Sequence, residues 1–220
     1  MTKRLIYFDN AATTWPKPDS VYKALKTAPA RYGANAGRGG YAMATETANM
    51  VYNARESVAE LLHIENPLSV VFTLNCTAAL NMVLKGIAGN GGRFLISCFE
   101  HNAVARPLTA LKQTGAAEID YYDGADALNS IKESLKPGTR AIVATSASNV
   151  FGTVLPLKEI GEFARENGLL FIIDAAQGLG VFPITADEIP FDFLCFSGHK
   201  SLYGPMGTGG FVKNCEYPLK

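Results

Sequence analysis

From residue 70 onward, short apolar, β-branched runs alternate with longer stretches whose apolar residues recur at helical spacing. This alternation limits the chain to few architectures, because each apolar run needs cover on both faces. Val70–Thr73 reads as a strand and 77–88 as a helix; Arg93–Ser97 as a strand and 103–113 as a helix; Glu118–Tyr122 as a strand and 125–135 as a helix. The run 141–145 is a further strand, and 157–167 a helix with Pro156 near its first turn, where a missing N–H costs nothing. Runs 169–173, 192–196 and 210–213 are the remaining strands. The expected fold is α/β, a three-layer α-β-α arrangement with a mostly parallel central sheet.

Upstream the pattern is less regular. Residues 9–14, Asp-Asn-Ala-Ala-Thr-Thr, are small enough to let the backbone approach something closely. Pro16 and Pro18 precede a short helix over 19–27. Residues 32–41 are glycine-rich and carry Arg38; they form a loop, either structural or part of a ligand mouth. Over 45–64, Val51, Ala54, Val58, Leu61 and Leu62 predict a long helix, which Asn66-Pro67 ends. No charge run, repeat or low-complexity linker marks a domain boundary, and the one candidate boundary falls after the first 40 or so residues.

Lys plus Arg equals Asp plus Glu at 20 each, so charge alone holds no nucleic acid and no anionic membrane. The four cysteines are widely spaced without a Cys-x-x-Cys pair, which favours reduced structural thiols over zinc or disulfides. The basic start at Met1 leads into an apolar run of only four residues, too short for a secretory signal, and no apolar stretch approaches membrane-spanning length. A cytoplasmic protein is the default expectation.

In this architecture the carboxyl ends of parallel strands converge on one edge, where ligands bind. The strand 192–196 runs into Ser197-Gly198-His199-Lys200 and then a glycine-rich loop. A lone lysine there is ordinarily a solvated loop residue. Here Ser197 and His199 add donors on either side of Gly198, a set that suits a phosphate-bearing aldehyde. Cys76 and Thr77 open a helix after the strand at 70, and a helix N-terminus binds anions. His101 can stack on a flat ring or shuttle a proton; Asn149 offers an amide to a ligand hydroxyl or makes an Asx turn. Asp174 follows an apolar strand, so its carboxylate needs a partner: a protonated pyridine nitrogen, a helix N-terminus or a metal. A second acidic ligand close by is missing, which disfavours metal. The dinucleotide, P-loop and nucleophile-elbow motifs are absent.

Taken in order, Tyr7-Phe8-Asp9-Asn10-Ala11-Ala12-Thr13-Thr14, Glu100-His101-Asn102, Ser148-Asn149-Val150-Phe151-Gly152, Asp174-Ala175-Ala176-Gln177 and Ser197-Gly198-His199-Lys200 resemble the cysteine desulfurase and selenocysteine lyase family. These are class V aminotransferase-like enzymes of fold type I that use pyridoxal 5′-phosphate. The resemblance covers essentially the whole chain. It implies that Lys200 forms a Schiff base with the cofactor, Asp174 pairs with its ring nitrogen and His101 stacks on the ring. Gln177 would contact the ring hydroxyl with Asn149 beside it. The backbone of Cys76, Thr77, Ser197 and His199 would hold the phosphate. Freed Lys200 would act as base on the substrate's α-hydrogen. The implied substrate is cysteine or selenocysteine, and the implied partners are a sulfur-acceptor protein and, in the complete form, a second copy of the chain.

Relatives continue well past Lys220, so the expectation is a cofactor-binding large domain over 31–220, incomplete at its C-terminus. Residues 1–30 form an N-terminal segment that in relatives belongs to the small domain. None of Cys76, Cys98, Cys195 and Cys215 stands where the sulfur-accepting cysteine belongs, and all four read as structural. Cys76 occupies a position often taken by Thr, and Tyr41 one often taken by His, so the resemblance leaves substrate choice open. The rival readings are a class V aminotransferase or other lyase, and an inactive fragment that only binds.

Overall fold

The computed structural model describes residues 5–220; the basic residues at 1–4 lie outside it. Seven strands form one sheet: β1 (Val70–Thr73), β2 (Arg93–Ser97), β3 (Glu118–Tyr122), β4 (Thr139–Thr145), β5 (Leu170–Asp174), β6 (Phe193–Ser197) and β7 (Gly209–Lys213). Their spatial order is β1-β7-β6-β5-β4-β2-β3. Only the pairings of β7, with β1 and with β6, are antiparallel. The mostly parallel sheet expected from the alternation is therefore present, with one reversed strand inserted beside the edge.

The helices are α1 (Asp19–Arg31), α2 (Ala42–Leu61), α3 (Cys76–Ala88), α4 (Asn102–Gln113), α5 (Ala127–Ser134) and α6 (Leu157–Glu166). Two separate cores show why the strands read as continuous apolar runs. Leu95, Ile142, Ile173 and Leu194 point to one face, where Leu62, Ile131 and Ile160 from the region of α2, α5 and α6 cover them. Phe94, Ile96, Val143 and Ile172 point to the other, under Leu80, Val83, Ile87, Val104 and Leu108 of α3 and α4. Each such side chain, fully buried, contributes roughly 1.5–3 kcal/mol.

Helix α2 differs from its expectation. It starts three residues earlier than 45, and its buried face runs through Ala44, Thr47, Ala59 and the following Leu62. Ala54 and Leu61 are exposed and Val58 is half-buried. The apolar stripe was displaced because Arg55 takes an inward position, donating to the Val70 carbonyl with its guanidinium over the Phe72 ring. His63, just past this helix, has a left-handed backbone (φ 53°) and bonds through Nδ1 to Asp187 Oδ2 at 2.6 Å, a surface role. Helix α1 extends to Arg31, further than the expected 27, and buries none of its residues.

Strand β7 is what lets β6 deliver its end to the site. The chain leaves β6, loops through 198–208 and returns antiparallel, with Gly209 paired to both Ser197 and Thr73. A Cβ on Gly209 would stand 2.7 Å from the Asn75 backbone and 2.7 Å from the Phe196 carbonyl oxygen. Backbone cannot yield as a side chain can. Gly209→Ala is therefore expected to cost about 1–3 kcal/mol by overpacking. That is a fall of several degrees in thermal midpoint at this size, checked by a thermal melt against Gly207→Ala, whose Cβ meets nothing within 4 Å but whose positive φ (84°) carries its own strain.

Candidate active site

The carboxyl ends of β1, β2, β4, β5 and β6 open on one edge, and a cavity of about 130 Å³ lies there. Each sequence-predicted residue lines it. Cys76 and Thr77 come from the first turn of α3, and His101 caps α4. Asn149 follows β4, and Asp174 and Gln177 come from the end of β5. Ser197, His199 and Lys200 follow β6. Gathering these residues is a property of the parallel topology, since widely separated segments all end at the same edge.

One end of the cavity is built for an anion. Asn75 caps α3 through Oδ1, which accepts the Ala78 N–H at 2.8 Å. The N–H groups of Cys76 and Thr77 occupy the first turn, where no intrahelical acceptor exists, and the Thr77, Ser197 and His199 side chains stand around them.

Asp174, 2% exposed, lines the same cavity. Its Oδ1 accepts the Ala176 N–H at 3.0 Å and the Cys76 Sγ–H at 3.4 Å. Burial pushes its carboxyl up, while Ala176, Cys76, His101 and Lys200 pull against that rise. A carboxyl in this setting is short of positive charge. Donors for a phosphate, a lysine amine and a buried acid awaiting a cation are thus arranged around one slot, and the small Ala103 and Ala176 leave room for a flat ring. That donor set fits pyridoxal 5′-phosphate.

Cys76 is more than the structural cysteine the sequence suggests, since its thiol is in the cavity wall. Burial and the Asp174 charge hold that thiol well above its ordinary range, so it is a hydrogen-bond donor and a poor nucleophile. Cys195 is buried and likewise pushed up, Cys215 is half-buried, and Cys98 is exposed outside the cavity.

Sequence reasoning missed three contributors. Asn75 shapes the anion end, as an Asn before a helix could have signalled. Thr13, Thr14 and Lys17 reach across 182 residues or more to the peptide carrying the lysine: Thr13 Oγ1 and Lys17 Nζ donate to the His199 carbonyl at 3.0 and 3.2 Å, and Thr14 Oγ1 donates to the Lys200 carbonyl at 2.5 Å. The close approach expected of residues 9–14 is this contact, extended by Gln177 Nε2 donating to the Ala11 carbonyl at 3.3 Å.

The third is Glu100. Its Oε1 accepts the Thr145 N–H at 2.6 Å, tying the β2–α4 loop, and so His101, to the end of β4. Its Oε2 is sealed from solvent with no hydrogen-bond partner among the described residues. Burial first, then the nearby Asp174, pushes Glu100 up from 4.5 to about 8, so it is a neutral acid at pH 7. The unfolded chain ionises it near 4.5 and the folded one near 8. Its contribution to stability is therefore complete below pH 4.5 and is lost as pH rises from there through 8. In Glu100→Gln the decline of stability between pH 5 and 8 should be shallower, by up to about 1.4 kcal/mol per pH unit, measured by urea denaturation across that range.

Comparison with known proteins places these features in context. A family model described as aminotransferase class-V matches residues 6–213. A "probable cysteine desulfurase" of Methanothermobacter thermautotrophicus is 33% identical over 208 residues, 93% of this chain and 52% of the relative. The mitochondrial cysteine desulfurase of Eremothecium gossypii is 33% identical over 214 residues, 94% of this chain and 43% of the relative. Among solved structures, one described as SspA in complex with cysteine superposes with a TM-score of 0.90 at 29% identity, covering 98% of this chain and 64% of that one. The apo structure of a cysteine desulfurase from Thermococcus onnurineus superposes at 0.85 with 28% identity, covering 95% and 53%. The chain spans about half the length of the curated relatives it matches.

Proposed function

The chain belongs to the class-V aminotransferase family, and from that premise we propose that it is the cofactor-binding portion of a pyridoxal-phosphate-dependent cysteine desulfurase, taking sulfur from L-cysteine and leaving L-alanine. The observation that carries this is that Lys200, just past β6, and Asp174, at the end of the adjacent parallel β5, line one cavity together with an anion cradle. Cysteine desulfurases among the relatives and solved structures support the choice of substrate.

Bound there, pyridoxal 5′-phosphate would supply an electron sink for the bond-breaking at the amino acid. The residues that would hold it are Thr77, Ser197, His199 and the Cys76 N–H at the phosphate, Asp174 at the ring nitrogen, His101 over the ring, and Gln177 and Asn149 at the ring hydroxyl. Asp174 keeps a proton on its partner by offering a poorly hydrated negative charge, strengthened by low local dielectric. His101 accepts the Ala103 N–H through Nδ1 at 3.0 Å, so the neutral ring carries its proton on Nε2. The Lys200 amine, when free of the cofactor, is the group positioned to accept the substrate's α-proton. A trough of about 790 Å³ adjoins the cavity through Ala147, Asn149 and Gln177 and is bordered by Trp15 and Tyr203; it is the approach route for an amino acid.

The transferred sulfur needs a thiolate acceptor. The raised Cys76 thiol is unsuited to it, so we place the acceptor outside this cavity wall, in a part of the complete enzyme or in a partner protein. We assign residues 31–220 to the cofactor domain. Residues 1–30 we assign to the N-terminal segment that belongs to the small domain in relatives, a reading that the exposed Phe8, Tyr22 and Leu25 support. The second copy expected of the complete enzyme belongs to the same proposal.

Lys200→Ala should abolish the borohydride-trappable yellow adduct with pyridoxal 5′-phosphate, read by absorbance and by mass. Asp174→Asn should weaken cofactor retention about a hundredfold or more, as for removing one partner of a buried charge pair. In the complete enzyme, with a thiol reductant present to release the transferred sulfur, alanine and sulfide from cysteine are the expected products; 3-mercaptopyruvate with conversion of the cofactor to its amine form would make the protein an aminotransferase instead.

A further inference from the structure

Beside the anion cradle, Thr13 makes two contacts through a single hydroxyl. Its Oγ1 lies 3.0 Å from the His199 carbonyl oxygen and 3.1 Å from His199 Nδ1. A hydroxyl has one hydrogen, and a carbonyl oxygen can only accept. If that hydrogen went to Nδ1, two oxygens would face each other at 3.0 Å with no hydrogen between them. The consistent arrangement has Thr13 donating to the carbonyl and His199 Nδ1–H donating to Thr13. The neutral imidazole then has no proton on Nε2, its remaining nitrogen, while the ring lines the cavity.

The threonine is itself held rigidly. The Tyr7 hydroxyl bonds to the Thr13 carbonyl at 2.9 Å, and Trp15 N–H donates to Asn10 Oδ1 at 3.2 Å, closing the turn that presents it. Thr14 N–H and Lys17 Nζ also donate to the His199 carbonyl, both at 3.2 Å, which ties this segment to the residue carrying the ring. Burial first, then the cations facing it, Lys200, its chain neighbour, and Lys17, on the N-terminal segment, lower the pKa of His199 and favour the neutral ring. Asp174, Cys76 and His101 stand on the other walls of the same cavity.

We propose that Thr13 is a positioning residue for the anion end of the site: it fixes the His199 proton on Nδ1, so that Nε2 meets an incoming phosphate group as a bare acceptor and takes up one proton from the solvent as that group binds. The only bond made is N–H at Nε2. The imidazolium that results donates from both nitrogens, to Thr13 and to the phosphate, and phosphate capture is thereby coupled to proton uptake. This rests on the phosphate assignment made above, and it adds a role for the N-terminal segment in loading the site.

The chain has three histidines, so imidazole ¹⁵N signals of the labelled protein can be assigned with His199→Gln as the reference. In the wild-type chain at a pH where the ring is neutral, His199 should show the Nδ1–H pattern. Adding inorganic phosphate, and separately pyridoxal 5′-phosphate, should convert it to the doubly protonated pattern. Thr13→Val should move the proton to Nε2 and abolish that conversion, and Thr13→Ser should restore both. A wild-type His199 protonated on Nε2, or a Thr13→Val spectrum like wild type, overturns the role of Thr13 and leaves the cofactor reading to its own test, trapping at Lys200. An Nδ1–H ring that neither phosphate nor the cofactor alters overturns the uptake step and counts against the phosphate assignment as well.

Discussion

The carboxyl of Asp174 is the constraint around which the site is arranged. It sits at the end of a strand flanked on both sides by parallel neighbours, beneath helices on both faces, and is almost wholly out of water. Such a group is costly unless something positive or proton-bearing meets it. The fold supplies one backbone N–H, a thiol and, from the next strand, a lysine amine on another wall of the cavity. The acid is held with its hydration already removed, the state that the proposed pairing with a cationic ring nitrogen would use. Lys200 and Asp174 share one cavity because β5 and β6 are adjacent and parallel.

Much of this was legible in the sequence. The strand–helix alternation fixed the layers, because continuous apolar runs have only one economical burial. The strand ends gathered as expected because parallel topology allows them a single edge. What the sequence did not reveal were contacts that depend on register and long-range approach. The inward turn of Arg55 rotated the buried face of α2 away from the stripe read through Ala54 and Leu61. Nothing in the local pattern around Thr13 says that its hydroxyl meets a histidine 186 residues away. Glu100 looked like the neighbour of a ring-stacking histidine; that its carboxyl is buried with one oxygen unpaired emerges only once β4 lies alongside β2.

Two histidines line the cavity and are given opposite tautomers by their surroundings. His101 accepts a backbone N–H at Nδ1 and so keeps its proton on Nε2. His199 faces a hydroxyl already committed to a carbonyl, which calls for the proton on Nδ1. In the proposed reading, a ring lying over another ring needs no change of charge, whereas one beside a phosphate gains by becoming an imidazolium. The neighbouring hydrogen bonds separate these two tasks without any difference in residue type.

The thiol at position 76 bears on the same logic. A sulfhydryl is a weaker donor than the hydroxyl of a threonine, and at 3.4 Å it draws little charge from Asp174 Oδ1. The carboxylate therefore keeps more of its negative charge for the far side, where the proposed ring nitrogen would be. The thiol in turn is kept protonated by the carboxylate it serves. A cysteine placed against an acid in this way is chemically quiet.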